Sequence, residues 1–349
     1  MSLNNPLRVA VVGAGAFGRN HLRVYNELRQ AGEAVQLVAV VDADAKAVAE
    51  ASEKFGVPGF GSVTECLIAT RVDAASVCVP TVHHRAVAEE LIAEGVDVLV
   101  EKPIAPSLED ADSILALAVR HGRIVQAGHL ERFNPAVTAA RGLLNKPMFF
   151  ESHRLSIFTP RSLDVDVVLD LMIHDLDIVL SLVGSPVREV RAVGLPVLSP
   201  KVDIANVRVE FENGCVANFT ASRVSTERVR KLRFFQPHQY LSIDFARQDL
   251  LMIDVTAAAG MDMAKLAAMA QLLQASQASG GHPSAGLSLK KVEVPQGEPL
   301  RLEIASFLDA VRMRSTPVVS GHDGRAALKL ALEINSAIVG HAERAGLKI

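Results

Sequence analysis

The sequence predicts an α/β chain: an N-terminal doubly wound parallel sheet, then an α+β domain built on a large, mainly antiparallel open sheet. Three observations predict it. Short apolar runs alternate with helical patterns over residues 1–127, a tight glycine cluster follows the first run, and after Gly128 closely spaced strand-like runs take over. Strands separated by whole helices pair in parallel through crossovers and are covered on both faces. Alternating strands joined by short turns pair antiparallel and leave one face wet.

Leu7 to Val12 is the first apolar run, and it ends at Gly13-Ala14-Gly15-Ala16-Phe17-Gly18. A helical pattern from Phe17 to Ala31 and a second run, Leu37 to Val41, complete a βαβ unit that stops at Asp42. The alternation continues with a helix at Ala43 to Phe55, a strand at Ala75 to Val79 and a helix at His84 to Glu94. A strand at Val96 to Val100, a helix at Leu108 to His121 and a strand at Ile124 to Ala127 close the first domain, 1–127.

The second domain, 128–349, opens with helical stretches at Pro135 to Leu144 and Val165 to Val183. Strands are expected at Met148 to Ile157, Val187 to Val197, Asp203 to Glu212, Val216 to Arg223, Arg228 to Phe235 and Tyr240 to Phe245. Val207, Val209 and Phe211 alternate with polar neighbours, and Asn213-Gly214 offers the positive φ angles of a two-residue hairpin turn. Residues 256–286 are dominated by Ala, Gln, Met, Ser and Gly; they could include an amphipathic helix, broken by Gly280-Gly281-His282-Pro283. Helices at Leu300 to Arg312 and Arg325 to Ala345 end the chain, the second preceded by capping residues in Ser320-Gly321-His322-Asp323.

Composition narrows the function. A length of 349 residues exceeds what one core fills, which favours two domains. Thirty-six basic and 39 acidic side chains, net −3 and without a long basic run, leave no electrostatic footprint for nucleic acid or an anionic membrane. A small-molecule substrate fits better. Three widely spaced cysteines, Cys66, Cys78 and Cys215, match neither a disulfide framework nor a zinc site, so no metal is expected and a reducing cytoplasm is. No targeting segment or membrane span is apparent in the N-terminal run.

Three groups of residues carry chemistry. Gly13 permits a tight turn out of the strand, Gly15 lets backbone approach a pyrophosphate, and Gly18 lets helix and strand pack closely. Asp42, 24 residues past Gly18, can accept from ribose hydroxyls and repel a 2′-phosphate, so NAD is favoured over NADP. Glu101-Lys102-Pro103 lies at a strand's carboxyl end, where open α/β sheets bind ligands, and its ammonium could stabilise charge as a hydroxyl loses its proton. Pro80-Thr81 and His84 share that rim, although His84 read by itself is a helix-start hydrogen-bonding residue. Asp166, Asp170, His174 and Asp177, at steps of four, four and three in an apolar stretch, share one helical stripe. Buried carboxylates beside a histidine prepare a general base, or equally a structural hydrogen-bonded cluster.

On these motifs the chain resembles the Gfo/Idh/MocA family of NAD(P)-dependent oxidoreductases nearly from end to end. The glycine fingerprint, the T-P-like strand end at Pro80-Thr81 with His84, the E-K-P motif at Glu101 to Pro103 and the D-x-x-x-H helix at Asp170 and His174 carry the likeness. The resemblance implies a Rossmann domain, catalytic Lys102, Asp170 and His174, and a large sheet that covers the nicotinamide. It also implies a homodimer or homotetramer through that sheet. Cofactor contacts are expected at Gly13, Gly15, Ala16, Phe17, Gly18, Asp42, Pro80, Thr81, His84, Glu101 and Lys102, and substrate contacts at Arg132, Asn134 and Arg154.

One departure stands out: Asp164 to Leu169 replaces the Gly-Gly that many members carry before the aspartate, which implies a different loop shape near the substrate. Gly128 to Pro135, Asp166 to Asp177 and the tail look most like the branch that oxidises the 3-hydroxyl of UDP-N-acetylglucosamine. The expected activity is therefore NAD-dependent oxidation of a nucleotide-sugar hydroxyl. The alternatives are a polyol dehydrogenase of the myo-inositol type and a non-catalytic NAD-binding sensor.

Overall fold

The computed structural model describes residues 5–159, 165–254, 264 and 288–347. Asp164 and, apart from Ala264, the Ala-rich segment 256–286 lie outside the described residues. The chain divides into two compact units, Met1–Phe133 with Gly297–Leu332, and Asn134–Gln296 with Glu333–Ile349. Each unit is discontinuous, whereas a single cut after residue 127 would leave the tail with the second.

In the first unit six parallel strands, β1 (Leu7–Val12), β2 (Val35–Val41), β3 (Gly59–Phe60), β4 (Ala74–Val77), β5 (Asp97–Glu101) and β6 (Val125–Gly128), lie in the order β3-β2-β1-β4-β5-β6. Helices α1 (Ala16–Gln30), α2 (Ala45–Phe55), α3 (Val63–Ala69), α4 (His84–Ala93) and α5 (Leu108–His121) connect them. This is the expected doubly wound sheet, and its order reverses between β1 and β4, where such sheets bind ligands. β3 and α3 were not expected: two residues are too few for periodicity, and α3 is short, started by the Ser62 hydroxyl accepting from the Glu65 N–H.

Gly297–Leu332 belongs with this unit through the apolar stripe of its first helix. Helix α8 (Pro299–Met313) buries Leu300, Ile304, Phe307, Leu308 and Val311 in the core that also holds Leu7, Val9 and Tyr25. Helix α9 (Gly321–Ala345) starts four residues before the expected Arg325. There the Ser320 hydroxyl accepts from the Asp323 N–H at 3.2 Å while the Asp323 carboxylate accepts from the Ser320 N–H at 2.8 Å. The glycines of this first turn are close-approach residues: a Cβ on Gly321 would meet Leu115 at 2.4 Å.

In the second unit the sheet runs β14-β13-β12-β11-β7-β10-β9-β8. Its strands are β7 (Phe149–Leu155), β8 (Val187–Leu195), β9 (Ile204–Phe211), β10 (Val216–Ser222), β11 (Val229–Gln236), β12 (Gln239–Asp244), β13 (Asp249–Asp254) and β14 (Ser288–Val292). Every neighbouring pair is antiparallel except β7 with β10. Alternation buries Phe150, Ser152 and Arg154 of β7 and Val207, Val209 and Phe211 of β9. Helix α6 (Pro135–Arg141) packs on β12 and β13.

Two local expectations change. The β9–β10 turn is a three-residue loop: only Gly214 has positive φ, at 84°, and Phe211 and Cys215 still pair across it. The Asn213 side chain accepts from the Cys215 N–H instead of adopting a left-handed backbone. The single helix expected over Val165 to Val183 is a π turn at Val168–Met172 followed by α7 (Ile173–Val183). In the π turn the Ile173 N–H reaches back to the Val168 carbonyl, one residue further than in an α-helix.

Candidate active site

The glycine loop is built by exclusion. A Cβ on Gly18 would lie 1.8 Å from the Gly13 carbonyl oxygen, and one on Gly13, whose φ is +103°, would lie 2.5 Å from the Cys78 carbonyl oxygen. Around Gly15 there is open space: nothing lies within 4 Å of a Cβ built there. Gly15, Ala16 and Phe17 are exposed in succession, and no side chain caps the N-terminus of α1 or adds an acid to its first turn. An uncapped helix start beside open glycine backbone suits a pyrophosphate. Asp42 ends β2, where its carboxylate accepts from the Ala14 N–H at 2.6 Å and the Asp44 N–H at 2.9 Å. The residues therefore fit a dinucleotide.

Glu101 ends β5, paired with Gly128 at the end of β6, and Lys102 follows it. The Glu101 carboxylate is nearly buried and lies 3.0 Å from Nε2 of His21, a fully buried residue of α1. Lys102 is half-buried, Pro80 exposed and Thr81 half-buried at the same edge. His84 is turned inward. Its Nδ1 lies 2.9 Å from the Pro103 carbonyl and its Nε2 2.9 Å from the Val79 carbonyl, so it ties the loops after β4 and β5 together. Burial holds its pKa below the usual histidine range, against the pull of the two carbonyls.

In the second unit the acidic stripe separates by role. Asp166 is a cap: one carboxylate oxygen accepts from the Val168 and Leu169 N–H groups, the other from Asn335 Nδ2 at 3.0 Å. Asp170 sits within the π turn and His174 in the first turn of α7, both half-buried, while Asp177 is buried. The π turn changes the backbone hydrogen bonding between Asp170 and His174 from the plain α-helical pattern. Among the described residues no group of three His, Cys, Asp or Glu side chains is placed to hold a metal, and no helix is long and apolar enough to cross a membrane.

Comparison with known proteins decides the family. Residues 7–129 match the Gfo/Idh/MocA oxidoreductase family model described as an NAD-binding Rossmann fold, and residues 137–236 match the family's C-terminal domain. UDP-N-acetylglucosamine 3-dehydrogenase of Acidithiobacillus ferrooxidans is 34% identical over 97% of this chain and 99% of its own. The chain belongs to the Gfo/Idh/MocA oxidoreductases. A solved structure of that Acidithiobacillus ferrooxidans enzyme superposes with a TM-score of 0.82 at 33% identity, covering 95% of this chain and 98% of the other. An inositol 2-dehydrogenase of Corynebacterium glutamicum is 28% identical over 62% of this chain and 67% of its own.

In this Gfo/Idh/MocA oxidoreductase the three residues expected against the substrate carry structure. Arg132 is buried in the first unit, 3.8 Å from the Asp323 carboxylate. Asn134 caps α6 by accepting from the Ala136 N–H and donates to the Phe245 carbonyl. Arg154 forms a bidentate pair with Asp175 at 2.9 and 2.8 Å, and its guanidinium lies 5.1 Å from the Phe245 ring centroid. The pair joins β7 to α7 next to His174. Removing one partner strands a buried charge, so Asp175→Ala should lower stability by about 3–5 kcal/mol in denaturant unfolding. A loss below about 1 kcal/mol would show that the pair does not brace the helix.

Sequence reading also missed Asp203, which is fully buried and accepts from the Val197, Leu198 and Ser199 N–H groups and the Ser199 hydroxyl. Burial would raise its pKa, but these four donors outweigh it and hold the carboxyl down to about 2. Arg223 pairs with Asp203 at 3.4 Å and donates to the Val165 carbonyl, while the Val167 N–H donates to the Val202 carbonyl at 3.0 Å. The backbone that leads into the D-x-x-x-H motif is thus stitched to the loop before β9. A signal existed in Ser199-Pro200-Lys201-Val202-Asp203, a turn-forming run that ends in an acid.

Proposed function

We propose that this oxidoreductase is an NAD-dependent dehydrogenase acting on the 3-hydroxyl of UDP-N-acetylglucosamine. The observation that carries the reading is the likeness to the Acidithiobacillus ferrooxidans enzyme over 97% of this chain and 99% of that one. The inositol dehydrogenase similarity spans 62% of this chain, which makes a polyol the second reading. NAD, when bound, supplies the hydride acceptor. Gly15 and the uncapped start of α1 would hold its pyrophosphate, and the Asp42 carboxylate would accept from its ribose.

The chain's own residues handle the proton. In this reading His174 accepts the hydrogen of the reacting hydroxyl, and the Lys102 ammonium stabilises the oxygen as negative charge develops on it. Asp170 orients the imidazole and stabilises its protonated form. A sensor that kept only the fold would have no use for this set. The purified enzyme should form NADH with UDP-N-acetylglucosamine and respond weakly or not at all to myo-inositol. Turnover of myo-inositol with no response to any UDP-sugar would replace the first reading by the second.

The outer face of the second sheet supports a homodimer or homotetramer. Phe149, Phe235 and Tyr240 lie side by side on β7, β11 and β12, with ring centroids 5.5 and 5.0 Å apart, and Phe235 is 39% exposed. An aromatic row of this kind is an unusual solvent-facing surface. Phe235→Arg should shift the mass measured by light scattering toward the monomer, and an unchanged mass would remove this face from the interface. The free cysteines Cys66, Cys78 and Cys215 fit a reducing compartment, and the proposal places the enzyme in the cytoplasm.

A further inference from the structure

We infer that His21 is a positioning residue for Lys102, acting through the Glu101 carboxylate. The inference rests on the reading of Lys102 as the ammonium that handles charge at the reacting hydroxyl. Three observations carry it. His21 is fully buried on α1, and its Nε2 lies 3.0 Å from Glu101 Oε1 while its Nδ1 has no hydrogen-bond partner among the described residues. The hydrogen of the ring is therefore placed on Nε2, facing the carboxylate, and an otherwise costly buried polar group is spent on this one contact.

Second, the other Glu101 oxygen accepts from the backbone N–H of Lys102 at 3.3 Å. Third, the carboxyl group has no room to swing away. A Cβ on Gly128 would come within 2.9 Å of the Glu101 Cα, Cδ and Oε1, so the β6 backbone closes that side. Glu101 is held by α1, by β6 and by the residue that follows it. Both of its oxygens are engaged within the protein, which makes it the anchor of the backbone from which Lys102 projects. His21 thereby links the helix of the glycine loop to the lysine.

The test uses the full-length enzyme with NAD and UDP-N-acetylglucosamine, and the variants His21→Ala, His21→Gln, Lys102→Ala and the His21→Ala/Lys102→Ala double. His21→Ala should lower kcat about 10- to 100-fold, the cost of a misplaced catalytic group, with KM for both substrates little changed. The Gln amide reaches the place of Nε2 and should restore most of the rate. In the Lys102→Ala background, His21→Ala should cost nothing further, because its effect passes through the lysine.

A readout independent of substrate is the rate at which an amine-acylating reagent labels the Lys102 Nζ in its neutral amine form, followed by mass spectrometry. It should change severalfold in His21→Ala and return in His21→Gln. Unchanged labelling and rate in His21→Ala would overturn the inference, as would a raised NAD dissociation constant with kcat intact, which would make Glu101 a cofactor contact. A wild-type rate in Lys102→Ala would instead remove the reading of the lysine, while the labelling result still reports on its position.

Discussion

Alanine at His174, or at Lys102, is expected to lower kcat by about a hundredfold to ten-thousandfold while the NAD dissociation constant stays close to that of the native enzyme. The direction follows from what each side chain would do. His174 stands in the first turn of α7, braced by the neighbouring Arg154–Asp175 pair, and Lys102 follows a strand end pinned by Glu101. Neither lies in the glycine loop, so loss of either leaves the dinucleotide cradle in place. If the two serve one hydroxyl, as proposed, they act as a unit, and the double variant should be little worse than the poorer single one. Full additivity would mean that they act on different steps, and wild-type activity in both would remove them from the chemistry.

Alanine substitutions along the glycine fingerprint should separate folding from cofactor binding. Gly18→Ala forces a Cβ to within 1.8 Å of a backbone oxygen, a clash that no flexible side chain can relieve. A loss of about 3 kcal/mol in denaturant unfolding is expected, with NAD binding lost alongside it. Gly15→Ala meets nothing within 4 Å and sits at an ordinary backbone conformation, φ −65°, so its unfolding curve should match the native one. Its methyl group would occupy the approach to the pyrophosphate, and NAD affinity should fall by about tenfold or more. Equal NAD affinity in Gly15→Ala and the native enzyme would show that the pyrophosphate lies elsewhere.

The first unit was largely legible because its strands are buried on both faces and its helices carry clear stripes. β1 and α5 lie where their apolar runs place them, and only β3 and α3, too short for periodicity, escape. Strands β7 to β12 of the large sheet were legible from their apolar runs, but β13 and β14 were not expected. The parallel β7–β10 pairing was also hidden, because periodicity reports faces and not neighbours. The π turn was hidden for a related reason: an inserted residue changes the hydrogen bonding of Val168 to Met172 without changing their apolar character. Arg132, Asn134 and Arg154 show the limit at the site. A buried polar side chain has the same composition whether or not it also meets a substrate, and Asp323, Phe245 and Asp175 are among the partners these three have inside the protein. His21 was overlooked because a histidine three residues past Gly18 reads as one more member of a helix face, and only the fold brings Glu101 to it.

The central claim, that this enzyme takes a hydride from carbon 3 of a UDP-amino sugar, is tested most directly with UDP-N-acetylglucosamine deuterated at that carbon. Incubation with NAD should yield NADH that carries the deuterium, detected by mass spectrometry. Unlabelled NADH, or labelled sugar left untouched while another alcohol is oxidised, would contradict it.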